Sequence, residues 1–459
     1  MKYNKIFSSL LLAVAVAFSF SLQSCKDQPD EFELTDGTPT INYIRPAKAS
    51  ASDSLLVQAY PQATICLVGS NLTSIKEMYF NDQKAILNTS FITDHTLIVQ
   101  VPSGIPDVVT DKIYIYTSDG QKVEYDFHVV IPAPIVTEMS CEYAIPGSTA
   151  TIYGSYFVDD PNVPLTVTFP DGLQATIKEI NSARSAITIE VPNCTEEGQI
   201  TVTSIYGSSS SAFRYLDSRG MLFDFETIAD GGTGLFSQGW KIRDAIEDEY
   251  SLPGCRHYIT LGDGSATLDE NGGWCDVPFR FDFWCGSWDS PQNITTAPGA
   301  ALYNIVDFEN WEEMSLKFEM CIPSSNAWAS GAMQIAFQPI EQVTLSANPV
   351  TGYTTVGDAN QYIFNGEGDA TTKWGAGDWG RIFYRPWVTA GEFHTDGEWI
   401  TVTLPLADLT LDRNGKAASL CPTKATDFAS LTMFLLGGGA GKECTPLLRI
   451  DNIRAVPNK

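Results

Sequence analysis

The chain has 459 residues and a formal net charge of −27. Gripping a phosphate backbone needs clustered Lys and Arg, so this balance excludes nucleic acid, and at long range it disfavours polyanionic glycans too. Gly, Pro, Thr, Val and aromatic residues are plentiful and long helical periodicities are missing, which predicts an all-β chain of about three domains.

At the N-terminus, Lys2 and Lys5 precede an apolar run over residues 10–20 that is too short and wrongly flanked for a spanning helix. It ends Leu22-Gln23-Ser24-Cys25, which resembles the lipobox of bacterial lipoproteins. The resemblance implies a signal peptide over residues 1–24 and acyl chains on Cys25. At about 0.8 kcal/mol per buried methylene, several such chains hold a membrane stably where one holds it marginally. Residues 25–38 are polar and acidic and read as a flexible tether. An acidic run directly after the lipid-bearing cysteine resembles the surface-export signals of some Gram-negative lipoproteins. No other stretch is long and apolar enough to cross a bilayer.

An internal repeat follows. Ile65-Cys-Leu-Val-Gly69-Ser-Asn-Leu72 is echoed by Thr151-Ile-Tyr-Gly154-Ser-Tyr-Phe157, and Leu97-Ile-Val-Gln-Val-Pro102 by Ile187-Thr-Ile-Glu-Val-Pro192. Alternating strands broken by Gly, Pro, Asn and Asp turns predict two sandwiches, over residues 39–131 and 132–217. The pattern resembles the IPT/TIG immunoglobulin-like family, although Tyr156-Phe157 replaces its Asn-Leu in the second unit. Pro132-Ala-Pro134 would stiffen the connection, because proline fixes φ and extends its predecessor. Neither unit shows a convergent polar cluster, so both read as spacers, with protein–protein contact as the alternative.

Residues 218–459 hold all ten tryptophans. Terminal strands at residues 221–226 and 447–457 predict a larger jelly-roll-like sandwich with one core. Trp328 sits among Ser, Asn, Ala and Gly, and reads as a bare apolar plate. In the run after it, Met333, Ile335 and Phe337 would face one way, Gln334 and Gln338 the other. Trp284 and Trp288 lie next to a Pro-containing turn, Trp374 and Trp379 share a glycine loop, and Trp387 follows Pro386. Trp240 and Trp311 begin strands and are expected in the core. Trp399 shares a face with Thr401 and Thr403, so its burial stays open.

The succession of Trp328-Ala-Ser-Gly-Ala-Met-Gln-Ile, Tyr384-Arg-Pro-Trp387, Gly397-Glu-Trp-Ile-Thr-Val-Thr-Leu and Asp451-Asn-Ile-Arg454 is similar to the C-terminal domain of surface glycan-binding proteins, the type that binds xyloglucan and related β-glucans. With the lipobox and the IPT/TIG repeats, the resemblance spans nearly the whole chain. It implies a lipid-anchored, outer-membrane, cell-surface protein that passes a neutral polysaccharide to other components of a glycan uptake system.

A pyranose offers an apolar C–H face and a rim of hydroxyls, which an aromatic ring and amide, carboxylate or guanidinium groups can meet. The expected platforms are Trp328, Trp288, Trp379, Trp374, Trp387, Tyr362 and Trp284, with Gln334 and Arg381 on the rim. Trp328→Ala would then weaken binding by about tenfold or more with folding intact. Two other readings stand beside this one. A β-sandwich glycoside hydrolase would need two carboxylates about 5 to 9 Å apart, and no strand motif supplies them. A protein-binding adhesin would use the same exposed aromatics. No cofactor is expected. A structural Ca²⁺ at the oxygen-rich loops 262–265 and 268–272 is the one metal these residues suggest, without EF-hand spacing. The nine cysteines after Cys25 form no CxxC and read as core residues or disulfide staples.

Overall fold

Short runs in which every second residue is apolar, separated by Gly, Pro, Asn and Asp, build antiparallel sheets packed in pairs. A computed structural model describes residues 32–51, 53–226, 246–247, 252–272, 278–287, 289–296, 299–340, 350–353 and 379–458. Among them the one α-helix is the single turn Trp387–Ala390. No described helix is long and apolar enough to cross a membrane. The chain divides into two compact units, up to Pro132 and from Ala133 onward.

In the first unit, Thr64–Ser70 pairs with Thr40–Pro46 and Thr96–Gln100. The facing sheet runs Gln83–Lys84, Ile75–Phe80, Lys112–Thr117, Lys122–Asp126. Ile65, Leu67, Met78, Phe80, Leu97, Val99, Ile113 and Ile115 are buried. The second unit begins with a sandwich of the same kind, in which Thr149–Ser155 pairs with Ile135–Met139 and Ala186–Glu190. The repeated sequence motifs are thus neighbouring strands in both sandwiches: Leu67 lies opposite Leu97, and Ile152 opposite Ile187.

The repeated glycine has a steric cause. A Cβ on Gly69 would strike the carbonyl oxygen of Thr40, and one on Gly154 that of Ile135. Two residues on, Asn71 and Tyr156 both take a left-handed conformation, with φ of 61° and 60°, and each delivers a fully buried residue, Leu72 or Phe157, into its core. Asparagine tolerates that conformation; tyrosine meets the Cβ–carbonyl clash in full.

The larger sandwich of the second unit contains β1 (Met221–Phe223), β2 (His257–Leu261), β3 (Arg280–Phe283), β4 (Met314–Cys321), β5 (Met333–Gln338), β6 (Ile382–Tyr384), β7 (Trp399–Pro405), β8 (Ser430–Leu435) and β9 (Leu448–Pro457). One sheet runs β2-β9-β4-β7, with β1 also on β9; the other runs β3-β8-β5-β6. Leu316, Phe318, Met320 and Ile450 of the first sheet meet Phe281, Phe283, Ile335, Phe337 and Met433 of the second in one apolar core.

The outer face of the first sheet is covered by the preceding sandwich. Tyr258, Cys321 and Trp399 belong to the core of that sandwich, beside Cys141, Tyr143 and Ala150. Trp399 is therefore buried on the face it shares with Thr401, by a module and not by the head's own core. Arg454, fully buried here, donates to Glu319 (2.7 and 3.0 Å) and to Glu142 (2.8 Å), and Lys317 reaches the other Glu142 oxygen. Thr401 Oγ1 donates to Glu319 and accepts from the Glu142 backbone N–H at 2.7 Å. Burial works against the Arg454 charge, but the two carboxylates more than reverse this and raise its pKa; burial raises that of Glu319. The second sandwich and the head pack together within one compact unit.

Candidate functional site: the outer face of the second sheet

Alternation along β3, β8 and β5 sends Phe281, Phe283, Leu431, Met433, Ile335 and Phe337 inward and leaves a second set of residues on the opposite face. Three rows cross that face. Arg280 lies opposite Phe434, which lies opposite Gln334, which lies opposite Phe383. Asp282, Thr432 and Ala336 form the next row. Continuing the register brings Trp284, Ser430 and Gln338 together, and Ser430 Oγ accepts the Cys285 N–H at 3.0 Å.

All of these residues but the half-buried Phe383 are buried, yet Trp284, Phe434, Ala336 and Trp379 belong to neither apolar core. They form a separate layer of rings interleaved with a carboxylate, guanidinium groups, amides and hydroxyls. Arg280 and Asp282 form an ion pair within it. Arg381 Nη1 donates to Gln334 Oε1 at 3.1 Å, while Gln334 Nε2 donates to the Leu436 carbonyl at 2.8 Å. Gln338 Nε2 donates to Ala336 O and Thr432 Oγ1, both at 3.0 Å. Trp379 Nε1 donates to the Phe337 carbonyl at 2.6 Å. A sugar with both C–H faces and hydroxyls is the ligand such a layer complements.

The expected platforms fare unequally. Trp328, expected bare, is 0% exposed, with Trp387 at 3%, Trp379 at 2% and Trp284 at 5%. Trp328 and Trp387 lie in the apolar core, Trp328 against Tyr384 at 5.9 Å between centroids. Both indole N–H groups converge on the Gly331 carbonyl, at 2.9 and 3.2 Å, and Trp328 also reaches Ser330 O at 2.7 Å. The small residues around Trp328 therefore let backbone carbonyls satisfy a buried indole; they do not expose it. Trp328 and Trp387 are corrected to core residues, and burial with internal hydrogen bonds takes Gln334 and Arg381 off the exposed rim. Trp284, Trp379, Gln334 and Arg381 nevertheless share the polar face. Trp288, Trp374 and Tyr362 lie outside the described residues, as does Trp240. Trp311 is half-buried and packs on the core, at 5.5 Å from Phe428.

Sequence reasoning missed Arg280, Asp282, Thr432, Phe434 and Phe383. A signal was there: Phe279-Arg-Phe-Asp-Phe-Trp284 alternates aromatic with charged residues, which is a strand buried on both sides. The two oxygen-rich loops are turns closed by their own aspartates. Asp263 Oδ1 accepts from the Ser265 and Ala266 N–H groups at 2.8 and 2.7 Å, which lowers its pKa, and Asp269 Oδ1 accepts from Asn271. The described residues contain no group of three His, Cys, Asp or Glu able to hold a metal ion. Cys66, Cys141, Cys194, Cys255, Cys321 and Cys444 are free thiols, so they are packing residues and not staples.

The architecture is that of a sandwich with a non-core face built of aromatic and polar side chains, the layout of a carbohydrate-binding module. Residues 215–457 match the family described as surface glycan-binding protein B xyloglucan binding domain. The chain belongs to this family. It is also similar to the crystal structure of surface glycan-binding protein PbSGBP-B from Prevotella bryantii, with 40% identity, a TM-score of 0.78, and coverage of 93% of this chain and 100% of that one. An IPT/TIG domain-containing protein of Bacteroides ovatus is 30% identical over 219 residues, and the match spans 44% of that relative's length.

Proposed function

We propose that this protein holds a neutral β-glucan of the xyloglucan class at the cell surface without cleaving it. The observation that carries the reading is the buried aromatic and polar layer on the outer face of the second sheet, on a domain whose family is named for xyloglucan binding. One ring that removes about 100 Å² of apolar area from water contributes about 2.5 kcal/mol gross, so affinity requires several rings together with hydrogen bonds. Trp284, Trp379, Phe434 and Phe383 are the rings proposed to face or back the ligand; Trp288, Trp374 and Tyr362 remain proposed as stacking residues. Arg280 and Asp282 are proposed to address hydroxyls, which they do more strongly where water is excluded.

The anchoring belongs to the same proposal. Acyl chains on Cys25 would hold the protein in the outer membrane, where it would hand its glycan to an uptake system. Cys25→Ala should release it from membranes in a fractionation.

Isothermal titration with xyloglucan, mixed-linkage glucan and mannan tests the binding. Heat on adding xyloglucan, at micromolar to millimolar dissociation constants and with no new reducing ends, is the expected result. New reducing ends would make the protein a hydrolase. Silence across the panel would overturn the reading in favour of a protein-binding surface.

A further inference from the structure

The preceding sandwich does not cover the first sheet along its whole length. On β7 the outward residues pass from Trp399, 8% exposed, through half-buried Thr401 to exposed Thr403. Where sandwich and head part, they leave an open cleft of about 250 Å³. Its wall on the head is Thr403 and, opposite it in the register, Lys317 on β4. The other wall is the strand Ile135–Met139, with Ala212 and Arg219 beside it. Pro457 and Asn458 at the end of β9 line this cleft and also an adjoining hollow of about 540 Å³ that reaches Met314. The two are one continuous trough, of a size that small-molecule sites have.

Its lining is amphipathic. Met139, Phe213 and Met314 are buried beneath it, and the Pro457 ring is exposed within it. Lys317 Nζ spends one N–H on Glu142, and Arg219 spends Nε and Nη2 on Asp217, both at 2.8 Å. An ammonium has three N–H donors and a guanidinium five, so both cations keep donors to give among the described residues. Asn458 Oδ1 accepts from Ser315 Oγ at 2.6 Å, which leaves its Nδ2 as a further donor. Charge then selects the class of ligand. The hollow is lined by Asp307, Glu312 and Glu313 and by no cation, which repels an anionic chain. Lys317 and Arg219 at the cleft repel a basic one. What remains is a neutral ligand with apolar patches and many hydroxyls.

We infer that this trough is a second glycan site, in which a sugar of a neutral polysaccharide lies over Pro457 and offers its hydroxyls to Lys317, Arg219 and Asn458. The inference rests on the glycan-binding reading and adds a second point of attachment to it. The trough and the ring-and-polar layer lie on opposite outer faces of the head, so only a long chain reaches both. A polymer held on one face presents further sugars to the other at high effective concentration, whereas a short oligosaccharide occupies one site at a time.

Two exposed positions test this in the full-length protein. Thr403→Glu sets a carboxylate beside Lys317 in place of sugar hydroxyls, and Ala212→Leu narrows the cleft from the opposite wall. Wild type should bind polymeric xyloglucan about tenfold more tightly than a short xyloglucan oligosaccharide. Each variant should keep its thermal midpoint, bind the polymer about fivefold more weakly, and bind the oligosaccharide within about twofold of wild type. Phe383→Ala, on the other face, should weaken both ligands alike. Polymer affinity within about twofold of wild type in both variants would overturn the second site, leave the trough to a protein segment, and leave the glycan-binding reading standing. Equal losses for polymer and oligosaccharide in Thr403→Glu and Ala212→Leu would also overturn it as a second site. Wild type that fails to bind xyloglucan would sink the glycan-binding reading, and the trough with it.

Discussion

The head sandwich buries polar side chains on both outer faces, and the two faces settle the cost differently. On the first sheet, Glu319, Arg454, Lys317 and Thr401 find partners in one another and in Glu142 of the adjoining sandwich. On the second, the ring-and-polar layer keeps Trp284 Nε1 and Gln338 Oε1 unpaired among the described residues. The first face is a joint because its charged groups pair across the boundary with the adjoining sandwich, although Arg454 Nε and Asp451 Oδ2 find no partner there either. The second face pairs its polar groups within its own strands, Arg381 with Gln334 and Gln338 with Thr432, and it is the face proposed to meet the glycan.

The sharpest way to break this contrast is to attack the joint. Arg454→Ala leaves Glu319 and Glu142 buried, adjacent and without their shared cation. Removing one partner of a buried ion pair costs about 3–5 kcal/mol, and two facing carboxylates place this variant at the upper end. Denaturant unfolding of the second unit should show the loss. A cost below about 1 kcal/mol would mean that the network is not what fastens the sandwich to the head.

The core between the two faces supplies the control. Trp328→Ala should cost about 3–5 kcal/mol, as large-to-small changes of buried aromatics do, and whatever protein remains folded should bind xyloglucan as before. This reverses the expectation drawn from the sequence. A well-folded Trp328→Ala protein with weakened binding would return that ring to the ligand face. Thr401→Val comes next on the joint side. It removes an acceptor from the Glu142 N–H and a donor to Glu319, for about 1–2 kcal/mol of stability with affinity unaffected. On the face proposed for the ligand, Phe383 is half-buried at the β6 edge and lies in the row with Gln334 and Phe434. Phe383→Ala should weaken xyloglucan binding by about fivefold and move the thermal midpoint little.

Much of the fold was legible because strand alternation is a local property. The split of Met333, Ile335 and Phe337 from Gln334 and Gln338 is the split between core and outer face. The echo of Gly69 in Gly154 marks one backbone approach made twice. The site was less legible, because a tryptophan's neighbours in sequence do not reveal what lies across the sheet. Ser330 and Gly331 look like an open loop around Trp328, and in space their carbonyls bind its indole N–H. The joint was invisible for a plainer reason: Glu142 and Arg454 are 312 residues apart, and neither sits in a motif that requires the other. Arg280 and Asp282 were readable and went unread, since a charged residue between two phenylalanines in a strand signals a face where apolar burial is not the purpose.

The smallest expected effect concerns the edge of the joint and is read by pH. Asp451 is buried on β9, accepts the Asn452 N–H at 2.7 Å through Oδ1, and has its carboxyl pKa held well above the usual range by burial, with Glu319, Glu226 and Asp224 adding to the shift. A folded-state pKa above the unfolded one means that the native protein binds the proton more tightly. The associated stability is fully present below the unfolded value of about 3.9 and is lost as pH rises through the raised folded value. Glu319, raised by burial against the pull of Arg454, bends the profile the same way. Asp451→Asn fixes the neutral state, keeps an oxygen for the Asn452 N–H, and turns an amide toward the surrounding carboxylates. It should leave stability near pH 4 unchanged and raise it by about 1 kcal/mol at neutral pH, flattening the slope between them. An unaltered slope in that variant would mean that Asp451 takes up no proton there, and that the charge at this edge is compensated in the same way as the Glu319–Arg454 pair.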